Sequence, residues 1–496
     1  MKATRWRQWV LVLGFLLAGI VTRIPFRSHL LYHWDSVNFA LAVEHFDVRL
    51  HQPHPPGYAV YVLLGWLVNH LTHDPNASFV WLSVLFSGLT IAAVFVLGRE
   101  MFGTLAGASA ALFTLTSPAI WFYSEVALTY ILEAFFVTAI ALGSYQVLCG
   151  KTRWTLVVTA LLAVAGGIRQ TTLVLLLPLW FFTLRQVSWK RRLEAGALLG
   201  VLVLAWFVPT VVLSGGLTSY LAASEAIGGG VLSGFALFGE ESLLAPLGRL
   251  AIYLVYGLMG GLPLLAYLAI REGGKRRGVR RLWQDKRVQV LALWLVPNLA
   301  FYAPLVRAPG HTFSFLPALI ILVGTGAAVL RRDLSGSRRA LPVLISIMGT
   351  VSVANMLFFL AAPPFLFGVR RVALTTPSWT TIQYRDISLG TRIAYIRTHF
   401  SPTTTALLSS GVDFRHPDYY LRDYFILRYD SNSALTPVTL PDGIETVVLF
   451  GEGLNEGEGA RAIELPNGEQ LYVLDRHADQ EVIVEGTVVS IKGGSP

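Results

Sequence analysis

Apolar runs, each closed by a short polar or basic loop, recur from Trp9 to Leu360 and leave this chain few folds to choose from. A helix crossing a bilayer core needs about 20 apolar residues, and fewer where it stops inside a protein cavity. The candidate segments are residues 9–24, 79–98, 105–120, 130–148, 154–168, 171–184, 195–213, 247–270, 288–305, 313–330 and 341–360. They predict about eleven spans. Composition agrees, since 54 % of residues are hydrophobic and 14 % charged, where a soluble domain carries roughly a quarter charged. The formal charge of +9 does not point to nucleic acid, because its Lys and Arg sit in short loops between the apolar runs. That is the pattern of cytoplasmic loops.

The basic loops set an orientation. Lys2, Arg5 and Arg7 hold the N-terminus inside, and Arg99, Lys151 with Arg153, Lys190 to Arg192, the loop 271–287 and Arg331 to Arg339 fall on the same side. The first run lacks a convincing small-residue cleavage site, so an uncleaved first span is expected. The reading is a multi-pass protein of the plasma membrane with a cytoplasmic N-terminus. Cys149 is the single cysteine, so no internal disulfide can form. From about Pro363 the composition turns to that of a soluble domain. A helix is expected over 387–400, and strands over 406–409, 446–450, 470–474 and 482–491. The predicted fold class is an all-α polytopic membrane protein with a small extracytoplasmic α/β C-terminal domain. The predicted division is 1–362, including an external loop 25–76, and 363–496.

That first external loop is the richest in polar residues. Residues 36–46 read as a short amphipathic helix, and 58–71 as a second one after the His51–Tyr58 turn, HQPHPPGY. Asp35 precedes the first helix. As an N-cap it would accept a backbone N–H; at the outer surface of a membrane it would be placed to take a proton from an acceptor hydroxyl. Glu44 and Asp47, on the same short helix, read as a solvated face. The proline turn is either a rigid corner or a wall whose His54 and Tyr58 donate to a phosphate or sugar. His51 and His54 match no standard metal-ligand spacing. Further along, the Gly-rich external segment 214–246 carries Glu225, Glu240 and Glu241. Glu125 lies in a second external turn, and Glu133 within the apolar run that follows, where a charge needs a partner or a cavity. Arg169 interrupts an apolar hairpin. It either snorkels to the interface or offers its planar fork to a phosphate. Arg307 and His311 make a second cationic pair at another outer turn.

The stretch DSVNFALA through HPHPPGYAVYVLLG resembles the GT-C class of polytopic glycosyltransferases, and more narrowly the protein O-mannosyltransferase-like branch with an HPPGY first loop. The likeness continues through SPAIWFYSEVALTYILEAFF and GGIRQTTLVLLLPLW, and more weakly through APGHTFSFLPAL, so it covers most of the membrane region. It implies inverting transfer of a monosaccharide from a polyprenyl-phosphate donor, with Asp35 as general base. Arg169, Arg307 and His311 would contact donor phosphate, and His54, Tyr58, Glu125 and Tyr130 would contact substrate. Where relatives carry Asp-Glu or Gly-Asp near the catalytic position, this chain has Trp34-Asp35-Ser36. HPPGYPLY is here HPPGYAVY, and Glu125 and Tyr130 are farther apart than in the related second-loop pattern. No cofactor is assigned beyond the lipid-linked donor, and a divalent metal stays open. The partners implied are membrane lipid, polyprenyl-phosphate sugar and an acceptor that is protein, lipid or glycan, without nucleic acid. A transporter or flippase of lipid-linked sugars is the competing class. It would more naturally show broken helices in paired halves. A sensor or assembly partner acting through the C-terminal domain is a third.

Overall fold

The computed structural model describes residues 2–233, 244–273, 279–335, 339–366, 375–428, 438–451, 460–475, 480–484 and 487–492. Glu240, Glu241, Arg338 and part of the basic loop 271–287 lie outside the described residues. The chain gathers into two compact units that do not follow its linear order. One is Met1–Arg27 with Phe46–Thr381, and the other is Ser28–His45 with Ile382–Pro496.

The first unit is helical, and the chain is an integral membrane protein. Among the described residues, six helical stretches are long and apolar enough to cross a membrane: Trp6–Phe26, Pro75–Phe102, Tyr130–Leu148, Trp189–Leu213, Leu244–Gly273 and Ala340–Ala361. Shorter apolar helices cover Ala59–Thr72, Thr104–Thr116 and Trp154–Ile168. Gln170–Thr183, Lys286–Tyr302 and Leu316–Asp333 account for the remaining apolar runs. Two runs expected to be continuous are broken, each for a local reason. The run over 105–120 stops at Thr116 and resumes as Pro118–Tyr123, because Pro118 has no N–H to donate and Ser117 accepts from Ile120 instead. The run over 247–270 splits into Leu244–Leu258 and Leu262–Gly273 around a tight turn at Met259–Gly261, just ahead of Pro263.

Burial ranks these helices. Pro75–Phe102 and Tyr130–Leu148 are buried over 72 % and 78 % of their apolar windows, whereas Trp189–Leu213 is buried over 6 %. An apolar helix with most of its surface uncovered by protein suits lipid contact, and an all-round buried one suits the middle of a bundle. Close approach at the middle depends on missing side chains. A Cβ on Gly88 would sit 2.6 Å from the Leu16 carbonyl oxygen, so the first span packs backbone to backbone against Pro75–Phe102.

The second unit is a small α/β domain carrying Trp34–Glu44 as well as the C-terminal sequence. Its main sheet uses β1 (Thr405–Ser409), β2 (Phe425–Arg428), β4 (Thr446–Phe450), β5 (Arg461–Glu464) and β6 (Gln470–Asp475), in the order β2-β1-β4-β6-β5. β1 pairs in parallel with β2 and β4, and β6 pairs antiparallel with β4 and β5. Both faces are apolar. Ala406, Leu408, Val447 and Leu449 pack on one side, while Leu407, Val448, Phe450 and Val473 meet Leu389, Ile393 and Ile396 of helix Trp379–His399 on the other. Strands buried on both faces read as continuous apolar runs, as ALLSS and TVVLF do. The single strand expected over 482–491 is instead β7 (Gln480–Val484) and β8 (Thr487–Lys492), paired antiparallel with each other and joined through β8 to β3 (Val438–Thr439). β2 and β5 were not anticipated. They are four residues each, and their exposed edge positions break the apolar pattern that marks a strand.

Candidate active site

In the second unit the helix Trp34–Glu44 begins one residue earlier than Asp35, and that shift changes what Asp35 does. The N-cap is His33, whose Nδ1 accepts from the Asp35 N–H at 3.2 Å. Asp35 therefore does not cap the helix. Its carboxylate Oδ2 lies 3.6 Å from His33 Nδ1, and the two side chains keep 21 % and 19 % exposure. Glu44 ends the helix and takes both Nη atoms of Arg422 at 2.6 and 2.7 Å. Asp47 is not on this helix as expected: Pro-rich sequence follows, and Asp47 instead caps the turn Val48–Leu50 and pairs with Arg49 at 2.6 Å.

In the first unit, the proline turn and the Arg169 corner come together. Gln170 Nε2 donates to the Pro56 carbonyl at 3.1 Å, and Tyr220 donates to the same oxygen at 3.1 Å. Gly57 turns the chain at φ +112°, where a Cβ would meet Thr210 at 2.8 Å, and Tyr58 follows in the left-handed region at φ 43°. His54 Nε2 and the Tyr58 hydroxyl are 3.1 Å apart. Tyr58, Tyr130 and Tyr302 all lie within electrostatic reach of Arg169, whose guanidinium carbon stands 4.8 Å from the centre of the Tyr130 ring. Arg169 neither snorkels nor stands alone. Its Nε is 3.0 Å from Glu133 Oε2, with the side chains 10 % and 0 % exposed, and Nη1 donates to Thr129 Oγ1 at 3.2 Å. Glu133 also accepts from Thr172 Oγ1 at 2.7 Å, so the charge within the apolar run has a partner.

His311 joins this wall. Its ring is 5.3 Å from Tyr302 and 6.4 Å from Tyr130, and its Nδ1 is 3.4 Å from the Arg307 N–H. Arg307 itself is exposed, and its carbonyl accepts from Tyr253 at 3.2 Å. Glu125 lies elsewhere, fully buried in the electrostatic field of Arg23. Arg23 donates to the Leu115 carbonyl at 2.7 Å and lies 4.4 Å over Trp121, which stacks on Phe359. The structure thus groups His54, Tyr58, Tyr130, Arg169 and His311, sets Glu125 in a separate buried cluster of the same unit, and places Asp35 in the other unit. Thr129, Thr172 and Tyr302 were missed. Hydroxyls in apolar helices give no period to read, and only the charge at Glu133 signalled that something polar faced it. Among the described residues there is no group of three or more His, Cys, Asp or Glu that could hold a metal ion.

Residues 53–213 match a family described as dolichyl-phosphate-mannose-protein mannosyltransferase. That span contains Pro53 to Tyr58 of the proline turn, Glu133 and Arg169. No curated protein sequence matches the chain. Among solved structures, ArnT from Cupriavidus metallidurans bound to undecaprenyl phosphate is similar with a TM-score of 0.56 at 14 % identity, over 96 % of this chain and 99 % of that one. The same protein in the apo state gives 0.50 at 15 % identity, over 95 % and 98 %. An oligosaccharyltransferase from Archaeoglobus fulgidus in complex with Zn and sulfate gives 0.50 at 13 %, over 93 % of this chain and 72 % of that one. The chain has the GT-C fold.

Proposed function

We propose that this protein is an inverting glycosyltransferase that moves a monosaccharide from a polyprenyl-phosphate donor to an extracytoplasmic acceptor, with Asp35 as general base. The observation that carries the reading is the Arg169 corner: a buried guanidinium, 4.8 Å from the Tyr130 ring and within electrostatic reach of Tyr58 and Tyr302, on a residue of the segment matched to a dolichyl-phosphate-mannose-protein mannosyltransferase family. A lipid phosphate is a good leaving group, so the chemistry needs a base, fixed positive charge and positioning more than covalent help. Asp35 takes the proton of the acceptor hydroxyl, and the acceptor oxygen attacks the anomeric carbon. The bond to the phosphate oxygen breaks with its electron pair, and the carbon inverts. Arg169 offsets the charge left on the phosphate, with Arg307 and His311 as further cationic contacts. His54, Tyr58 and Tyr130 line the sugar; Glu125, expected as a further substrate contact, is buried in the field of Arg23 and is given no part in this step. The basic loops put the N-terminus in the cytoplasm and the acceptor side, with the C-terminal domain, outside. The sheet domain then belongs to the compartment of the acceptor.

The test uses full-length protein in nanodiscs and a lipid extract of the source cell's membranes, with release of polyprenyl phosphate as the readout. Asp35→Asn is expected to lower turnover by about 10²–10⁴-fold, the usual worth of a general base. A folded Asp35→Asn protein with undiminished release refutes the assignment. Wild-type protein that moves lipid-linked sugar across a vesicle without releasing phosphate refutes the transferase.

A further inference from the structure

The helix that carries Asp35 has an orientation problem. Residues 36–42, Ser-Val-Asn-Phe-Ala-Leu-Ala, are all buried. Apolar attraction is non-directional, so it holds such a short helix in place without fixing its rotation; Glu44 pairs with Arg422, but at the far, exposed end of the helix. Rotation decides where Asp35 meets an acceptor. A directional contact is needed, and the second unit supplies one.

Asn38 stands one turn after Asp35, on the same face of the helix. It is 2 % exposed, and its Oδ1 accepts from Arg415 Nε at 2.9 Å. Arg415 is 4 % exposed. Its Nη1 lies 3.1 Å from Asp418 Oδ2, and the other oxygen of Asp418 takes Arg428 Nη2 at 2.8 Å. The guanidinium is therefore held from behind before it reaches the helix. The chain entering the helix is tied to the same short segment. Leu31 donates its N–H to the Tyr420 hydroxyl at 2.9 Å, and its carbonyl lies 2.8 Å from His416 Nε2. A buried charge is a poor device for stability alone, since an apolar pair of the same volume avoids the desolvation cost. What an arginine and an amide add is direction.

We propose that Arg415 is a positioning residue for the reaction, setting the rotation of helix Trp34–Glu44 through Asn38 so that Asp35 is presented to the acceptor at one angle. The inference rests on the reading of Asp35 as base. It also gives the C-terminal domain a part in the chemistry.

The experiment compares full-length wild type, Arg415→Met, Asn38→Ala and the double variant in nanodiscs by hydrogen exchange and by polyprenyl phosphate release from the same lipid extract. Arg415→Met is expected to speed exchange of the amides of residues 34–44 by about ten-fold, with the amides of β1 and β4 unchanged. Turnover falls by about ten-fold or more with KM for the lipid donor unchanged. The double variant is no worse than the worse single one, because one contact is being removed. Arg415→Lys, which keeps a donor, recovers part of the loss. Unchanged exchange over 34–44, or full turnover while Asp35→Asn is inactive, overturns the proposal. If Arg415→Met loosens β1 and β4 as well, the milder Asn38→Ala decides by the same two readouts. Full turnover in Asp35→Asn overturns the base reading instead, and the exchange data still show whether Arg415 holds the helix.

Discussion

Removing Glu133 and removing Arg169 should not cost the same, although each breaks the same ion pair. Glu133→Ala leaves a guanidinium that is 10 % exposed without its carboxylate at 3.0 Å. Arginine cannot shed its proton to escape, so the full penalty of an uncompensated buried charge stands, about 3–5 kcal/mol. The Thr172 hydroxyl loses its acceptor at the same time, adding about 1 kcal/mol. Arg169→Ala leaves a carboxyl, which can take up a proton and become neutral. Its loss is therefore smaller, even though its side chain is larger. Glu133→Leu with Arg169→Met removes both charges and should recover most of the stability lost by Glu133→Ala. The assay is thermal unfolding of full-length protein in nanodiscs, where Glu133→Ala should lower the apparent midpoint by roughly 5 °C or more. A midpoint for Arg169→Ala at or below that of Glu133→Ala, or strictly additive losses in the double variant, would refute the argument.

Two more expectations follow from single positions. The second unit should lose stability on acidification in two steps. Burial pushes the His416 imidazole below its usual 6.5, so the unfolded chain takes up a proton that the folded domain refuses. Stability is full above pH 6.5 and falls as the pH drops below it. Asp413, buried, is held well below the usual carboxylate range by Arg385, His416 and Arg392, so its share is lost at still lower pH. Asp386, raised by burial, acts in the opposite direction within the carboxylate range. Exchange of the β1 and β4 amides against pH checks this, and His416→Gln should abolish the upper step. Gly57→Ala meets both a φ of +112° and Thr210 at 2.8 Å. It should cost about 1–3 kcal/mol, read as a lower unfolding midpoint, whereas alanine at Gly196, which has open space around it, should cost little.

Helices were legible wherever apolar length alone defined them, as over 130–148 and 154–168, whose bounds match Tyr130–Leu148 and Trp154–Ile168. The errors fall at prolines and glycines inside apolar runs, where hydropathy continues but the hydrogen-bond ladder does not, as at Ser117-Pro118 and Met259–Gly261. Among candidate site residues, the signal that worked was a charge where charge is expensive. Glu133 and Arg169 were each anomalous, and each was the other's reason. The opposite case is Asp35, where the expected alternative to a functional role was a cap. A cap depends on which residue has extended backbone before the first turn, and His33 versus Asp35 is a one-residue choice that composition does not decide. The RHPDYY stretch, with Arg415 and His416, was passed over because nothing in an exposed-looking loop says that its charges turn inward.

The hardest fact to read was that Asn38 and Arg415, 377 residues apart, share a hydrogen bond. Local rules bind residues a few positions apart; a contact across most of the chain leaves no trace in either neighbourhood except an Asn on an otherwise apolar helix. That residue is informative in retrospect. An amide among Val37, Phe39, Ala40 and Leu41 costs desolvation unless something meets it, so the sequence around Asp35 demanded a polar partner without naming it. For the proposed transfer the same logic applies within each unit. Glu133 and Thr129 fix a guanidinium in the first unit, and Asp418 and Arg415 fix a helix in the second, each before substrate arrives. Groups held in advance spend no free energy reorganising during the reaction. If the proposed transfer handles its lipid phosphate by positioning rather than by covalent chemistry, the buried charges of each unit need to be rigid first and stabilising second.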